Sequence, residues 1–333
     1  MNTVYMDSGT TNTRAYLIID GKPAAACSAP VGTRQSSIAG SNAVLLQGLK
    51  ALYDRLLREN GLADQDIEEI WMSGMVTNNW GIVDVEHMSL PLDAAKAARE
   101  SYRCFEDRFF HRELRLIRGA KTTATGKSIS LEELEYVGNV RGEEIEILGL
   151  IGAEPDTDAF LAVMPGSHTH VCYVKNGQIC DILSCFTGEL HAAVMTETIL
   201  SGELTHEDIP LQREYVMRGY DYLKQYGFVR AMYIMHASRV FDVCSNDVRT
   251  QMISGILAGG VVDLTAKKTA HEWSEAKKAV IVGKKNYIVA YTQLFKEVLS
   301  LPVEQCADIG GKDFALAGFL EILKARAEAF RPT

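Results

Sequence analysis

Close to the start of the chain, Asp7, Ser8, Gly9, Thr10, Thr11, Asn12, Thr13 and Arg14 stand in one unbroken run. A carboxylate at the mouth of a turn can hold a hydrated Mg²⁺, an oxygen-seeking ion that neutralises phosphate oxygens. Gly9 lets backbone come close to a ligand, and the hydroxyl and amide side chains beside it can hydrogen-bond an anion. Taken alone, the segment fits two readings, a turn that holds phosphate and an ordinary hairpin with a polar tip. A second run, Gly166, Ser167, His168 and Thr169, repeats the combination of glycine and hydroxyl far along the chain.

Other residue groups carry candidate chemistry. Asn78, Asn79 and Trp80 follow a strand-like run, where open α/β sheets bind ligands; Trp80 packed over a sheet edge is the alternative. Arg112, Arg115, Arg118 and Lys121 form a basic cluster that could clamp a carboxylate substrate, or be solvated surface charges. Glu143 and Glu144 open a helix, where acids complement the positive end of the dipole. Thr187-Gly188-Glu189 opens another, whose N–H groups and hydroxyl suit a nucleotide phosphate. His168, His170 and Cys172 alternate and would share one strand face, which raises a metal site. A fourth ligand at sensible spacing is missing, although Cys180 and Cys185 lie on the returning strand, so core packing plus a loop histidine is the stronger reading.

The elements that must position these groups repeat. Before Gly9 and before Gly166 an apolar run ends, and after each corner a second apolar run leads to a hairpin turn, Asp20-Gly21 or Asn176-Gly177. Gly9 precedes Gly21 by 12 positions and Gly166 precedes Gly177 by 11. Two copies half a chain apart point to a duplicated domain, and two such loops facing each other across a cleft could grip a polyphosphate. Between them the pattern predicts a loop at 30–37, an amphipathic helix over 42–60 and a strand over 67–73. It also predicts a helix over 94–112 and another from 143 to about 152. In the second half it predicts helices near 187–200, 211–225, 246–266, 289–299 and 313–329, with a strand at 279–282 ending in Gly283. The expected domains are 1–153 and 154–312, with the last helix, 313–330, packing back on the first.

The 333 residues leave room for two domains with buried cores. A composition 47% hydrophobic and 23% charged is that of a globular protein. A formal charge of −9 argues against a nucleic-acid or anionic-membrane partner, while one nucleotide pocket remains compatible. Seven cysteines without Cys-x-x-Cys spacing read as reduced thiols of a cytoplasmic protein, and no leader or membrane span is expected.

The stretch DSGTTNTR resembles the first phosphate loop of the superfamily of sugar kinases, actin and heat-shock-chaperone ATPases, and residues 165–169 resemble its second. Within that superfamily the chain resembles the 2-dehydro-3-deoxygalactonokinase (2-keto-3-deoxygalactonate kinase) family. The likeness rests on DSGTTNTRAYLI, on SGM at 73–75 with Trp80-Gly81, and on VRGEEIEILGLIG at 140–152. MPGSHTHV at 164–171, FTGEL at 186–190, and IVGKKN at 281–286 before a helical YTQLF continue it. It implies two duplicated ribonuclease-H-like (actin-like ATPase) α/β domains with a cleft between them. The implied reaction is ATP-dependent phosphorylation of the primary hydroxyl of a 2-keto-3-deoxy sugar acid. The implied substrate is 2-dehydro-3-deoxy-D-galactonate, taken to its 6-phosphate in galactonate catabolism. ATP and Mg²⁺ are the implied cofactors, and a homo-oligomer is compatible. By the same resemblance Asp7 organises the metal, and Gly9, Thr10, Thr11, Asn12, Gly166, Ser167, His168, Thr169, Thr187 and Gly188 hold phosphates. Gly283 borders the adenosine, and Glu143, with Glu144 second, is the general base. Arg14, Asn78, Asn79 and Trp80 border the sugar acid; Arg118 is added to them from the basic cluster as a candidate carboxylate ligand, not from the resemblance. The chain departs from the family pattern with Asn in place of an Arg in the 76–93 loop and with Arg118 in place of a Pro. A phosphohydrolase and a regulatory ATPase of the same superfamily are the rival expectations.

Overall fold

A computed structural model describes residues 1–122, 129–155, 157–205, 209–283 and 287–329. Lys284, Lys285 and Asn286 of the IVGKKN stretch lie outside them. The chain divides into two compact units. One comprises Met1–Pro155, Gly177–Asp181 and the chain from Ile309 onward; the other comprises Asp156–Asn176 and Ile182–Asp308.

In the first unit β1 (Asn2–Ser8) and β2 (Thr13–Ile19) pair antiparallel, with Asp7 opposite Arg14 and Ser8 opposite Thr13. Asp20 and Gly21 both take positive φ, the geometry a two-residue hairpin demands, and lead into β3 (Lys22–Ala29). Next come α1 (Thr33–Ala39), α2 (Ala43–Glu59), β4 (Glu69–Gly74), β5 (Met88–Ser89) and α3 (Ala94–Arg99). They are followed by β6 (Tyr102–Glu106), β7 (Arg112–Leu116), β8 (Ala120–Lys121), β9 (Asn139–Val140) and α4 (Glu143–Ala153). The main sheet runs β3-β2-β1-β4-β7-β6, and β5, β8 and β9 make a small second sheet. Leu45, Leu49, Leu52 and Leu56 recur at helical spacing along α2 and are buried, joining the inward residues Val4 and Met6 in one core.

The second unit holds β10 (Ala159–Pro165), β11 (Thr169–Lys175), the part of β12 (Gln178–Cys185) from Ile182 onward, α5 (Gly188–Glu197), α6 (Arg213–Val240) and α7 (Asn246–Ala270). Then follow β13 (Ala279–Val282), α8 (Tyr287–Val298) and β14 (Val303–Cys306). Its sheet order is β12-β11-β10-β13-β14. Both sheets therefore share one plan. Three strands in sequence are followed by two more that run parallel to the first, with crossover connections between the parallel neighbours, and the first sheet adds β6 antiparallel to β7 at its edge. The last helix, α9 (Phe314–Ala329), belongs to the first unit. Its Phe319 stacks on Tyr5 with ring centroids 4.2 Å apart, and its Gly318 lets the backbone of α4 pass close by.

Several expectations need correction. The predicted helix over 94–112 ends at Arg99, and 102–106 and 112–116 are strands. The period-two burial of Leu114 and Leu116 in β7 outweighs the helical reading of the charged residues. The predicted loop at 30–37 contains α1, whose start is fixed by Gln35 Oε1 accepting from Gly32 N at 3.0 Å. The helix near 211–225 extends to Val240, with a break at Gly227. Among the described residues no helix is long and apolar enough to cross a membrane.

Candidate active site

Each glycine corner is built by the same device. Gly9 N donates to Asn12 O at 2.9 Å, and Gly166 N donates to His168 O at 2.9 Å. The corner carbonyls then accept from the head of the helix after the third strand. Thr33 N reaches Gly9 O and Arg34 N reaches Thr10 O at 2.9 Å, while Glu189 N reaches Ser167 O at 2.9 Å. A glycine sits at each contact because nothing larger fits: a Cβ on Gly32 would lie 2.4 Å from Thr10 O, and one on Gly188 2.2 Å from Gly166 O. Thr10, Thr11, Asn12, Ser167 and His168 are exposed. Among the described residues the backbone N–H groups of Thr10, Thr11, Ser167 and His168 have no protein acceptor. Backbone donors held this way at a tight corner form an anion-binding concavity.

In the first unit, carboxylates gather around the end of β1. Asp7 accepts a long 3.5 Å contact from Ser73 Oγ, which is itself 2.7 Å from Tyr5 OH. Burial pushes the Asp7 carboxyl up, Arg14 opposes it, and Asp313 and Glu143 add to the rise, giving a pKa of about 6. Arg14 Nη1 meets Asp313 Oδ2 at 2.6 Å, so this expected sugar-acid ligand carries an internal partner. Glu146 lies one turn past Glu143 on the same face of α4, and burial with Asp7, Glu143 and Asp313 nearby drives its pKa well upward. The i,i+3 spacing of Glu143 and Glu146 is legible in the sequence; Asp313, remote along the chain, gives no such signal.

The two candidate bases differ. Glu143 Oε2 accepts from Arg141 N at 3.0 Å and stays partly exposed. Glu144 is fully buried and folds back so that Oε2 accepts from Gly142 N at 2.7 Å, leaving Oε1 without a hydrogen-bond partner. Burial and Glu143 raise its pKa to about 8. Among the described residues no three His, Cys, Asp or Glu side chains converge as a protein-only metal cage would need. Mg²⁺ keeps most of its waters and asks for only one or two carboxylates, so the oxygen donors and excess negative charge at Asp7 fit such an ion.

Arg141, unforeseen from sequence, ties the 77–87 loop to the head of α4. Its guanidinium donates to the carbonyl and hydroxyl oxygens of Thr77, to Val85 O at 3.3 Å, and lies 3.4 Å from His87 Nδ1. Within that loop Asn78 Oδ1 accepts from Trp80 N at 2.8 Å, while Asn79 is exposed and Trp80 is 39% exposed. Arg118 spends its guanidinium on Glu86 O and His87 O, at 2.7 and 3.4 Å. Of its basic neighbours, Arg112 pairs with Asp64, Arg115 with Glu69 and Lys121 with Glu86.

In the second unit a cavity of about 410 Å³ opens at the corner. Its lining includes Gly166, Ser167, Thr169, Thr187 and Gly188, with Ser254, Leu257 and Ala258 of α7 and Ala290 and Tyr291 of α8. Thr169 Oγ1 lies 2.7 Å from both Thr187 Oγ1 and Tyr291 OH, a buried hydroxyl triangle at the cavity wall. His191 also lines it, with its pKa lowered by burial. Sequence reading missed the α7 contribution, since Ser254, Leu257 and Ala258 on a long helix carry no local signal. Gly283, at φ 131°, is closed on by its own chain: a Cβ there would meet Ile288 Cδ1 at 2.3 Å, and it is not in the cavity lining. His170 and Cys172 are buried on β11, with His170 Nδ1 2.9 Å from Ser184 Oγ, and His168 is exposed.

Two units on one strand plan, each with a glycine corner under a helix head, define the actin-like ATPase and sugar-kinase class of fold. Solved structures agree. A protein from Sinorhizobium meliloti, provisionally named a 2-dehydro-3-deoxygalactonokinase, superposes with a TM-score of 0.76 at 17% identity, covering 99% of this chain and 100% of that one. Component A of the (R)-2-hydroxyglutaryl-CoA dehydratase of Acidaminococcus fermentans gives 0.50 at 14% identity, over 98% and 99% of the two chains. The profile of the 2-keto-3-deoxy-galactonokinase family matches residues 7–322, and the chain belongs to that family. The 2-dehydro-3-deoxygalactonokinase of Escherichia coli (strain K12) is 24% identical over 203 residues, an alignment spanning 60% of this chain and 62% of that relative.

Proposed function

We propose that the protein transfers the terminal phosphoryl group of ATP to the primary hydroxyl of 2-dehydro-3-deoxy-D-galactonate, giving its 6-phosphate. Membership of the family supports the reaction class. The observation that carries the nucleotide assignment is the cavity of the second unit. Its lining combines the free corner N–H groups and the hydroxyls of Ser167, Thr169 and Thr187 with the apolar Leu257, Ala258 and Ala290, a mix that suits phosphates and a base. Ser167, Thr169, Thr187 and the helix head at Gly188 would hold the phosphates there, and Gly9, Thr10, Thr11 and Asn12 would act likewise in the first unit. Asp7 would hold Mg²⁺, which when bound neutralises phosphate oxygens and the charge that develops as the phosphoryl group moves.

Glu143 is the better general base of the two carboxylates. It stays accessible, whereas the carboxyl of Glu144 is buried and turned onto its own helix. Asn78, Asn79 and Trp80 would border the sugar acid, held in place by Arg141. A protein that keeps no membrane-spanning helix among its described residues and carries a metabolic kinase fold is consistent with work in the cytoplasm. The test is coupled ADP release with and without the sugar acid. Turnover that requires 2-dehydro-3-deoxy-D-galactonate supports the proposal; ADP formed at the same rate without it would show a hydrolase.

A further inference from the structure

Among the described residues that line the second unit's cavity there is no Lys or Arg, although its corner N–H groups and hydroxyls suit an anion. Glu189 adds a carboxylate, and His191 alone of those side chains can become a cation. His191 sits one turn into α5, where its N donates to Thr187 O at 2.7 Å. Residues four apart share a helix face, and helical side chains lean toward the N-terminus. The imidazole therefore covers the turn headed by Thr187 and Gly188, beside the N–H groups that a phosphate would cap. It is half-buried, and neither ring nitrogen has a hydrogen-bond partner among the described residues. A polar ring withdrawn from water without a partner is uncommon in a folded protein, and a ligand in the cavity would complete its bonding.

We infer, on the nucleotide reading of this cavity, that His191 is the cationic ligand of the bound phosphates and takes up a proton as they arrive. In the free protein the ring is neutral at neutral pH, because burial holds its pKa below the ordinary 6.5. The positive end of α5 acts in the same direction. Of the side chains that face the cavity from the corner, α5, α7 and α8, only Glu189 and Tyr291 also titrate, and neither contributes to that lowering. A nucleoside diphosphate brings several negative charges to the helix head. An opposite charge within about 4–6 Å favours the imidazolium, and capping of the helix removes the opposition of its dipole. The proton comes from solvent to the free ring nitrogen, which then donates a charge-assisted hydrogen bond to a phosphate oxygen. The affinity that His191 adds is therefore full in acid and fades as pH rises through the pKa of the complex.

Calorimetric titration of the full chain with ADP tests this in the wild type, His191→Gln and Gly188→Ala. Mg²⁺ is left out, so that Asp7 stays unloaded. Gln keeps a donor but cannot take a proton, and the remaining titrating groups are common to both proteins. Between pH 8 and pH 6 the ratio of wild-type to His191→Gln affinity should rise about five-fold or more, as a ten-fold gain in proton affinity on binding requires. At pH 7, titrations in two buffers of different ionisation enthalpy should show the wild type taking up about 0.4 of a proton more than the variant. Equal pH dependence or equal proton uptake in the two proteins would overturn the inference; weaker binding by Gly188→Ala would then leave the nucleotide reading standing. A wild type that binds no ADP, or binding untouched by Gly188→Ala, would overturn both. Should the melt show His191→Gln misfolded, His191→Phe keeps the ring volume without the proton and takes its place.

Discussion

Replacing Asp7 by Asn should make the protein more stable and inactive at once. The carboxyl at the end of β1 has a pKa of about 6 against an ordinary 3.8, because burial and the neighbouring Asp313 and Glu143 outweigh Arg14. A rise of about two units corresponds to about 3 kcal/mol, reduced to about 2–3 for a group that keeps some solvent contact. Below pH 4 the carboxyl is protonated in folded and unfolded chains alike, and wild type and Asp7→Asn should melt together. Between pH 4 and 6 the unfolded chain loses this proton first, so wild-type stability falls as pH rises. Above pH 6 the penalty is complete and constant. Asn keeps the shape without the charge, so the variant should gain about 4–10 °C in melting temperature at pH 8 for a unit of this size. Glu144, raised by burial and Glu143, is present in both proteins and cancels in the comparison, whereas Glu146 loses the repulsion of Asp7 in the variant, which adds to the gain in the same direction. The assay is thermal melting of both proteins from pH 4 to 8, beside coupled ADP release. A variant that melts lower at pH 8, or a gap that is as large at pH 4, would refute the electrostatic account; full activity in the variant would refute the metal role.

Gly188→Ala places a methyl group 2.2 Å from Gly166 O and 2.9 Å from the Ser167 backbone, so the corner and the head of α5 must separate by about 1 Å. A displacement of that order should raise KM for ATP and lower kcat about 100-fold while costing about 1–3 kcal/mol in a melt. Glu143→Gln should lower kcat by about 10²–10⁴ with little change in KM, and a loss below about ten-fold would remove Glu143 as the base. Arg326→Ala should cost about 2–3 kcal/mol, because Arg326 forks onto Glu69 and stacks over Trp71, 5.5 Å from the ring centroid. Burial raises the Glu69 carboxyl, but Arg326, Trp71 and Arg115 together hold it below its ordinary value. That stabilisation is present at neutral pH and lost as the carboxylate protonates in acid, so the difference between Arg326→Ala and the wild type should shrink below about pH 4.

The chain's local chemistry was enough to read its corners. Asp20-Gly21 and Asn176-Gly177 have one low-energy use between apolar runs, and both take the positive φ that use requires. The leucine spacing of α2 likewise has one solution, a buried stripe. Reading stopped at 94–112, where charged residues mask a two-residue period, and past Gly227, where a positive φ splits one helix without ending it. What the linear order could not disclose is which groups meet through space. Asp7, Glu146 and Asp313 come together because α4 and α9 lie along one face of the sheet, and Thr169, Thr187 and Tyr291 because α8 folds back beside β11. Turns and amphipathic faces depend on neighbours within about four positions and survive in sequence. Desolvation, proton affinity and cavity shape depend on residues hundreds of positions apart, and only the packed sheet and its helices bring those within reach.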